Sequence, residues 1–549
     1  MGIRVDVNEG RLDSWKEIAT YLKRDVRTVQ RWERHERLPV HRKIHGKLGS
    51  VYAFKPELDA WWNADRRAAG AAAADERPRL AVLPLRNLSG DPGQEYFSDG
   101  LTEELIAQLS RVDPARLAVV ARSSVARCLA AGRGTRQIER ELGAGYVLDG
   151  SVRRSSDRVR VSVQLVRTRD ESHVWAGTYD RDLRDILALQ RELAHAVTAG
   201  ISAKVAASER RPIGPVDPET YSAYLMGRHL WNGRTIEGVF KAIEQFERAV
   251  ARTPGYAPAL AGLADCHAVL ANPELGVLPP AEAMPRAKAA AERALAIDPA
   301  LGEAHASLGF VCLWFDWDWP AAQTAFARAI ELRPDYASAR QWHAALLGTL
   351  GRMEEAVAEL RRALELDPLS NVLRVELSSL HYFERDYEAA VRHAREALEL
   401  DPGFVLAYFN LGRALLQQGR GREALTELER GHALAPELPA MTMALGHGYA
   451  AAGRRADALK AIEALARLAR KRYVPAFHTA AIHAALGDRE KTFAWLAKAR
   501  DERCAYLVHL PKEPAADPYR GDPRFAQIVP RVGFRQPEPA PADRRPARG

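Results

Sequence analysis

The chain has 549 residues, 47% hydrophobic and 27% charged, with a formal net charge of +8. That length is too great for one core and implies three or more domains of ordinary soluble composition. No apolar run approaches the ~18 residues of a membrane helix, no signal peptide opens the chain, and Cys128, Cys266, Cys312 and Cys504 are scattered with no CxxC or Cys/His cluster. The expectation is a cytoplasmic protein with no membrane segment, disulfide, cofactor or metal.

The first element is "DSWKEIATYLKR", where Trp15, Ile18, Ala19 and Leu22 recur at helical spacing and Asp13 or Ser14 can cap the start. The next is "RDVRTVQRWERHERLPV", residues 24–40, with five arginines around one tryptophan. Coiled as a helix over 26–36, it sets Val26, Val29 and Trp32 on one side. Arg27, Arg31 and Arg34 fall nearly opposite, beside Gln30. Asp25 is a suitable N-cap and Pro39 closes the run. Two short helices separated by a few residues form the skeleton of a helix-turn-helix. "HRKIHGKLGSVYAF" then reads as a β-hairpin with a Gly-Lys-Leu-Gly tip, and "KPELDAWW" as a closing helix anchored by Trp61 and Trp62.

Residues 11–47 hold eleven Lys/Arg and five Asp/Glu, a net of +6 that is most of the formal charge of the chain. Charge so concentrated is the electrostatic footprint of a nucleic-acid binder. Residues 11–64 resemble the MerR/excisionase-type winged helix domains. The resemblance implies double-stranded DNA as partner, with the 26–36 helix in the major groove and the hairpin as a wing. Arg27, Gln30 and Arg31 are the candidates for base edges, with Arg34 beside them; Thr28 can reach phosphate or base. Arg42, Lys43, His45 and Lys47 on the wing are candidates for the phosphate backbone, and Trp15, Trp32 and Trp61 for the core. A lone winged helix binds weakly, so a homodimer on a repeated half-site is expected.

"DRRAAGAAAADERPR" is a linker, taken as 65–77. Residues 78–208 then read as β-α-β-α-β-β-β-α: strand "RLAVLPLRNL", helix "DGLTEELIAQLSRV", strand "LAVVARSSV", helix "RQIERELGA", three strands and a long last helix. Val159, Val161, Val163 and Leu165 alternate with polar residues, as in a half-buried strand, and "SSDR" marks a hairpin turn. This segment resembles the TolB-like amino-terminal (FlgO-like) domain of bacterial multidomain regulators, through "FSDGLTEELIAQLSRV", "LGAGYVLDGSVRRSSDRVRVSVQLV" and "HVWAGTYDRDL". Asp99 and Gly100 could mark a phosphate-handling turn, but helix capping and a tight turn are the plainer reading. His173 and Trp175 read as structural strand residues.

After a second linker, "SERRPIGPVDP", prolines close similar phrases at 254, 299, 334, 368, 402 and 436, at intervals of 45, 35, 34, 34 and 34. A 34-residue period is that of tetratricopeptide repeats, and residues 221–504 resemble an array of about eight. Ala356, Ala390, Ala424 and Ala458 lie one period apart, and Gly412, Gly446, Phe246 and Phe326 fit the same template. Such repeats stack into a superhelix whose first helices line a groove for a protein or peptide. Phe409 and Arg413 project from one first helix and are the candidate partner-binding residues, with inter-repeat packing an equal reading for Phe409. "WFDWDWP", residues 314–320, reads as an inter-helix turn whose rings plug their neighbours. Residues 505–549 form a C-terminal extension ending in a Pro- and Arg-rich tail.

No G-x-S-x-G, HExxH, Walker A or kinase motif is present, so enzymatic activity is not expected. The fold expectation is multidomain: a small winged helix-turn-helix, an α/β domain and an all-α tetratricopeptide superhelix. The functional expectation is a cytoplasmic DNA-binding transcriptional regulator whose repeats bind a protein partner. The alternative is a scaffold or adaptor that does not bind DNA.

Overall fold

The computed structural model describes residues 11–21, 29, 38–45, 48–55, 57–58, 77–114, 116–201, 215–233, 235–272, 274 and 277–529. The chain divides into two units, residues 1–77 and 78–549, taken here one at a time.

In the first unit, β1 (Arg11–Leu12) precedes α1 (Trp15–Tyr21), and β2 (His41–His45) precedes β3 (Leu48–Phe54). The sheet order is β1-β3-β2, antiparallel throughout, with Arg11 opposite Phe54 and His41 opposite Tyr52. The Ser14 hydroxyl accepts from the Glu17 amide, and the Glu17 carboxylate accepts from the Asp13 amide. This reciprocal cap fixes the start of α1. Leu12, Ile18, Ala19, Val29, Leu38, Ala53 and Leu58 form the core, with Trp15 packed against it. Val29 thus lies on the side expected from the sequence. The rest of the helix expected over 26–36, including Trp32, and the expected Trp61–Trp62 anchor lie outside the described residues.

In the second unit, β4 (Arg79–Val82) pairs in parallel with both β6 (Ala118–Val119) and β7 (Tyr146–Ser155). The short β5 (Arg86–Asn87) also runs beside β7. β7, β8 (Arg158–Arg167) and β9 (His173–Asp182) form an antiparallel meander, so the order is β6-β4-β7-β8-β9. The alternation in β8 is physical: Val159, Val161, Val163 and Leu165 are all buried. Helix α2 (Glu95–Val112) buries Phe97, Leu101, Leu105 and Leu109, one every turn. Helix α5 (Ile186–Ile201) joins the same core.

Between β6 and β7 the sequence reading is corrected. The segment "LAVVARSSV" is strand only at Ala118–Val119; from Arg122 it is helix α3 (Arg122–Ala130), followed by α4 (Thr135–Leu142). Val125 and Cys128 repack that face beneath the sheet, and only Ala118 and Val119 remain as strand. The observed order is therefore β-β-α-β-α-α-β-β-β-α. Asp99 and Gly100 also differ from expectation, because they sit inside α2 rather than at a cap or turn. A side chain at Gly100 would meet Leu225 at 2.8 Å, so glycine there permits close helix approach.

The remainder is a succession of helix pairs. They run α6 (Pro218–Asn232) with α7 (Ile236–Arg252), α8 (Ala257–Leu270) with α9 (Pro280–Ile297), and α10 (Gly302–Val311) with α11 (Trp319–Leu332). Next come α12 (Ala337–Thr349) with α13 (Met353–Leu366), α14 (Asn371–Phe383) with α15 (Tyr387–Leu400), and α16 (Val405–Gln417) with α17 (Gly421–Leu434). Last are α18 (Pro439–Ala451) with α19 (Arg455–Leu468) and α20 (Ala476–Ala485) with α21 (Arg489–Asp501). Ala356, Ala390, Ala424 and Ala458 are fully buried where paired helices meet. Gly227 and Gly262 close on the Phe246 ring, which a side chain at either position would meet at 2.6 Å. At the turn inside successive pairs, Gly351, Gly419, Gly453 and Gly487 have φ between 73° and 81°. Trp317 (φ 59°) and Arg385 (φ 66°) take that left-handed position in two pairs, without glycine.

The α/β layer and the repeats share one core, running from Leu80 through Tyr221 and Phe246 to Ala304. Polar contacts reinforce it. Tyr224 donates to Glu104 at 2.6 Å, Asp99 meets Arg122 at 2.9 Å and His229 at 3.0 Å, and Arg111 meets Glu303 at 3.0 Å. A second attachment lies three pairs further along. The Ser123 and Ser124 hydroxyls donate to Asp367 at 2.7 and 2.5 Å, and the Ala121 amide donates to the Leu366 carbonyl at 2.9 Å.

Candidate functional site: the lumen of the repeats

The first helix of each pair supplies the inner wall of the superhelix. On α16, Phe409 and Arg413 are one turn apart and share a face, as read from the sequence. Phe409 is 3% exposed. The Arg413 guanidinium lies 4.1 Å from the Tyr382 ring centre, 5.0 Å from Phe409 and 5.6 Å from Phe383. Its charge is answered by Glu513 at 2.8 Å, and each side chain of that pair is 14% exposed. Glu513 also accepts from the Tyr382 hydroxyl at 2.6 Å.

Glu513 belongs to a segment that follows the last helix pair and turns back into the superhelix. Residues Ala505–His509 and Pro514–Tyr519 are single 3₁₀ turns, and Pro523–Ile528 is a short helix, α22. Cys504, Leu507, Val508 and Leu510 bury against Leu313, Phe326, Leu346 and Phe477. His509 stacks on Phe383 at 4.6 Å and meets Trp314 edge-on at 5.4 Å. Lys512 donates to the Gly348 carbonyl at 2.7 Å, Arg385 pairs with Asp517 at 2.8 Å, and Tyr519 donates to the Ala484 carbonyl at 2.6 Å. Arg503 lies over Phe315 and Trp317 at 5.4 and 5.3 Å. Trp317 and Arg385, the residues that take the left-handed turn position without glycine, both touch this segment. The "WFDWDWP" rings are likewise packed: Trp319 is buried, and Trp314 and Trp317 lie against the same cluster.

Phe409 and Arg413 were expected to face a partner; in the structure Glu513 of this segment meets Arg413 instead. The signal available was the apolar spacing of Tyr506, Leu507, Val508 and Leu510 beyond the last repeat, without a 34-residue partner to absorb it.

Of the candidate DNA-contacting residues, Arg42, Lys43 and His45 stand in β2, opposite Val51, Ser50 and Leu48 of β3. Arg27, Thr28, Gln30, Arg31, Arg34 and Lys47 lie outside the described residues. Near the hairpin, His41 pairs with Glu57 at 2.6 Å and stacks on Tyr52 at 5.1 Å, so it braces the sheet. All four cysteines are buried and unbridged. Among the described residues no helix is long and apolar enough to cross a membrane.

Comparison with known proteins adds to this geometry. Residues 76–196 match the model of the HilA/YgeH-like transcriptional regulator, second domain. The middle layer is thus a regulator-type domain. Residues 317–371 and 384–447 match tetratricopeptide repeat models. A curated relative, "Putative adenylate cyclase 3" of Rhizobium meliloti (strain 1021), is 34% identical over 232 residues. The match covers 42% of this chain and 38% of that protein, so the chain spans about two fifths of its relative's length. That name overturns the exclusion of an enzyme drawn from missing motifs: a sequence without a familiar catalytic signature still has a relative called a cyclase.

Several solved structures are similar to part of the chain. A thermophilic TPR protein of Thermus thermophilus is 20% identical, with TM-score 0.31, over 36% of this chain and 99% of that one. The type IV pilus biogenesis factor PilW is 16% identical, with TM-score 0.33, over 40% and 96%. The pilF protein of Pseudomonas aeruginosa is 20% identical, with TM-score 0.29, over 42% and 97%.

Proposed function

We propose that the chain is a cytoplasmic DNA-binding transcriptional regulator whose repeats hold a protein partner. The observation that supports it most is the regulator-domain match at residues 76–196, next to a head carrying a net +6 over residues 11–47. In this reading residues 11–64 are the DNA-binding domain, of MerR/excisionase winged-helix type, and 65–77 are a linker. Residues 78–208 are the TolB-like α/β domain, 221–504 are the repeats and 505–549 are the C-terminal extension.

The burial of Val29 supports the assignment of faces, because a helix over 26–36 would set Arg27 and Arg31 ~200° from it. Arg27, Gln30 and Arg31 read base edges, with Arg34 and Thr28 at their margin. Arg42, Lys43, His45 and Lys47 hold phosphates. Two copies bind a repeated half-site. Phe409 and Arg413 meet the partner once it displaces Glu513, and the doubly attached α/β layer carries that event toward the head.

The test is selection of duplexes from a random-sequence pool by the full chain. A recurrent motif, lost in the Arg27→Ala/Arg31→Ala variant, is expected. A pool that stays random rejects the regulator reading in favour of a scaffold or adaptor.

A further inference from the structure

The C-terminal segment does not fill the lumen. A cavity of about 700 Å³ remains between it and the inner helices, within the ~300–1,000 Å³ range of small-molecule sites. Its walls are mostly apolar and aromatic, with Phe310, Trp342, Phe383 and Phe409 on the repeat side and Tyr506 on the closing segment. A void with such walls and no charge would suit any apolar molecule. This one is not uncharged.

Glu376 of α14 faces the cavity from the turn that also presents Val375, Ser379 and Leu380. Among the described residues its carboxylate makes no ion pair or hydrogen bond. Glu274 lines the same cavity and repels it. Of the two arginines at the wall, Arg413 is already engaged by Glu513 and Tyr382, and Arg127 belongs to α3. Arg127 and Asp367 stand at the same wall, and His447 and His509 are driven toward their neutral forms by burial, His509 to about 4. Burial raises the Glu274 and Glu376 carboxyls too, Glu376 to about 7, so above that pH the wall carries carboxylate charge that no ion pair among the described residues answers.

Two further groups lack partners. Asn371, at the start of α14, is 3% exposed, and neither its amide nitrogen nor its amide oxygen is hydrogen-bonded. The Tyr506 hydroxyl is likewise buried and unmatched. Buried polar atoms without partners cost about 1–3 kcal/mol each, so a cavity that collects them is preorganised for a molecule that supplies them.

We propose that this cavity binds a small organic cation, an amine on an aromatic or aliphatic body, with the ammonium group held at Glu376 and Glu274 and the apolar body between Trp342, Phe383, Phe409 and Tyr506. Aromatic faces add cation–π attraction to the carboxylate pairing. A metal ion fits poorly, because among the described residues no group of three or more His, Cys, Asp or Glu converges here. An anion meets two carboxylates. The site stands independently of the partner-binding reading, since it uses the space left while the closing segment is in place.

The experiment is calorimetric titration of the full chain at pH 8 with 4-phenylbutylamine, 4-phenylbutanol and 4-phenylbutyrate. The amine is expected to bind at least tenfold more tightly than the alcohol, and the acid not detectably. Glu376→Gln, nearly isosteric, should weaken the amine about tenfold and leave the alcohol unchanged; Glu274→Gln is the second variant should the first not fold. No binding of the amine, equal affinity for all three probes, or an amine affinity that neither variant changes overturns the proposal.

Discussion

Replacing Glu513 by Ala should release the closing segment without unfolding the repeats. Glu513 is the one carboxylate in contact with the Arg413 guanidinium among the described residues, at 2.8 Å, and both side chains are largely withdrawn from water. Breaking a buried pair from one side costs roughly 3–5 kcal/mol, because the remaining charge keeps its desolvation penalty and loses its partner. Three aromatic rings around Arg413 recover about 1–2 kcal/mol of that while it stays in place. The Tyr382 hydroxyl also loses its acceptor. A net of about 2–2.7 kcal/mol then favours opening, a factor of about 30 to 100 in the opening equilibrium.

Hydrogen exchange of amides 505–528 reads that equilibrium directly. Protection there should fall 30- to 100-fold, while amides of α16 and α18 keep theirs. The double replacement Arg413→Met/Glu513→Leu, which removes both charges, should restore most of the protection. A Glu513→Ala segment protected within threefold of the parent would refute the reasoning, and would mean that the apolar contacts of Leu507, Val508 and Leu510 hold the segment alone.

Two further outcomes follow from the same region. Arg385→Gly relieves a left-handed residue, worth about 1 kcal/mol, and loses a half-exposed pair with Asp517 worth roughly 0–1 kcal/mol. Chemical denaturation should show overall stability unchanged or slightly raised, while exchange near Asp517 quickens severalfold; a marked loss of stability would contradict this. Glu376 is pushed up to about 7 by burial and by Glu274. A folded-state value above the ordinary 4.5 means that its protonation favours the fold below pH ~4.5, an advantage lost as pH rises through 7. Glu376→Gln should therefore match the parent near pH 4.5 and exceed it by up to ~3 kcal/mol at pH 8, at ~1.4 kcal/mol for each pH unit. An equal difference at both values would count against that placement of the charge.

Where period and burial coincide, the architecture is legible in the residues themselves. The 34-residue spacing of prolines and alanines locates helix pairs because close helix contact demands small side chains at fixed positions. The alternation in β8 survives because one of its faces is buried. "LAVVARSSV" misleads because its apolar content suits either a strand or the start of a helix, and tertiary packing of Val125 and Cys128 decides. Asp99 misleads for a related reason. Its partners, Arg122 and His229, come from elsewhere in the chain, and only the fold brings them to it. The candidate pair Phe409 and Arg413 was visible from helical geometry. Glu513, 100 residues further on, was not, because nothing local marks a carboxylate as the partner of a distant guanidinium.

The proposed function rests on DNA binding by the basic head. Equilibrium binding of the full chain to duplex DNA between about 50 and 200 mM salt tests it most directly. Log K is expected to fall linearly with log salt, by ~0.9 for each phosphate contact, and Arg27→Ala/Arg31→Ala to erase the difference between preferred and random duplexes. Binding that is absent, or that does not respond to salt, would contradict it.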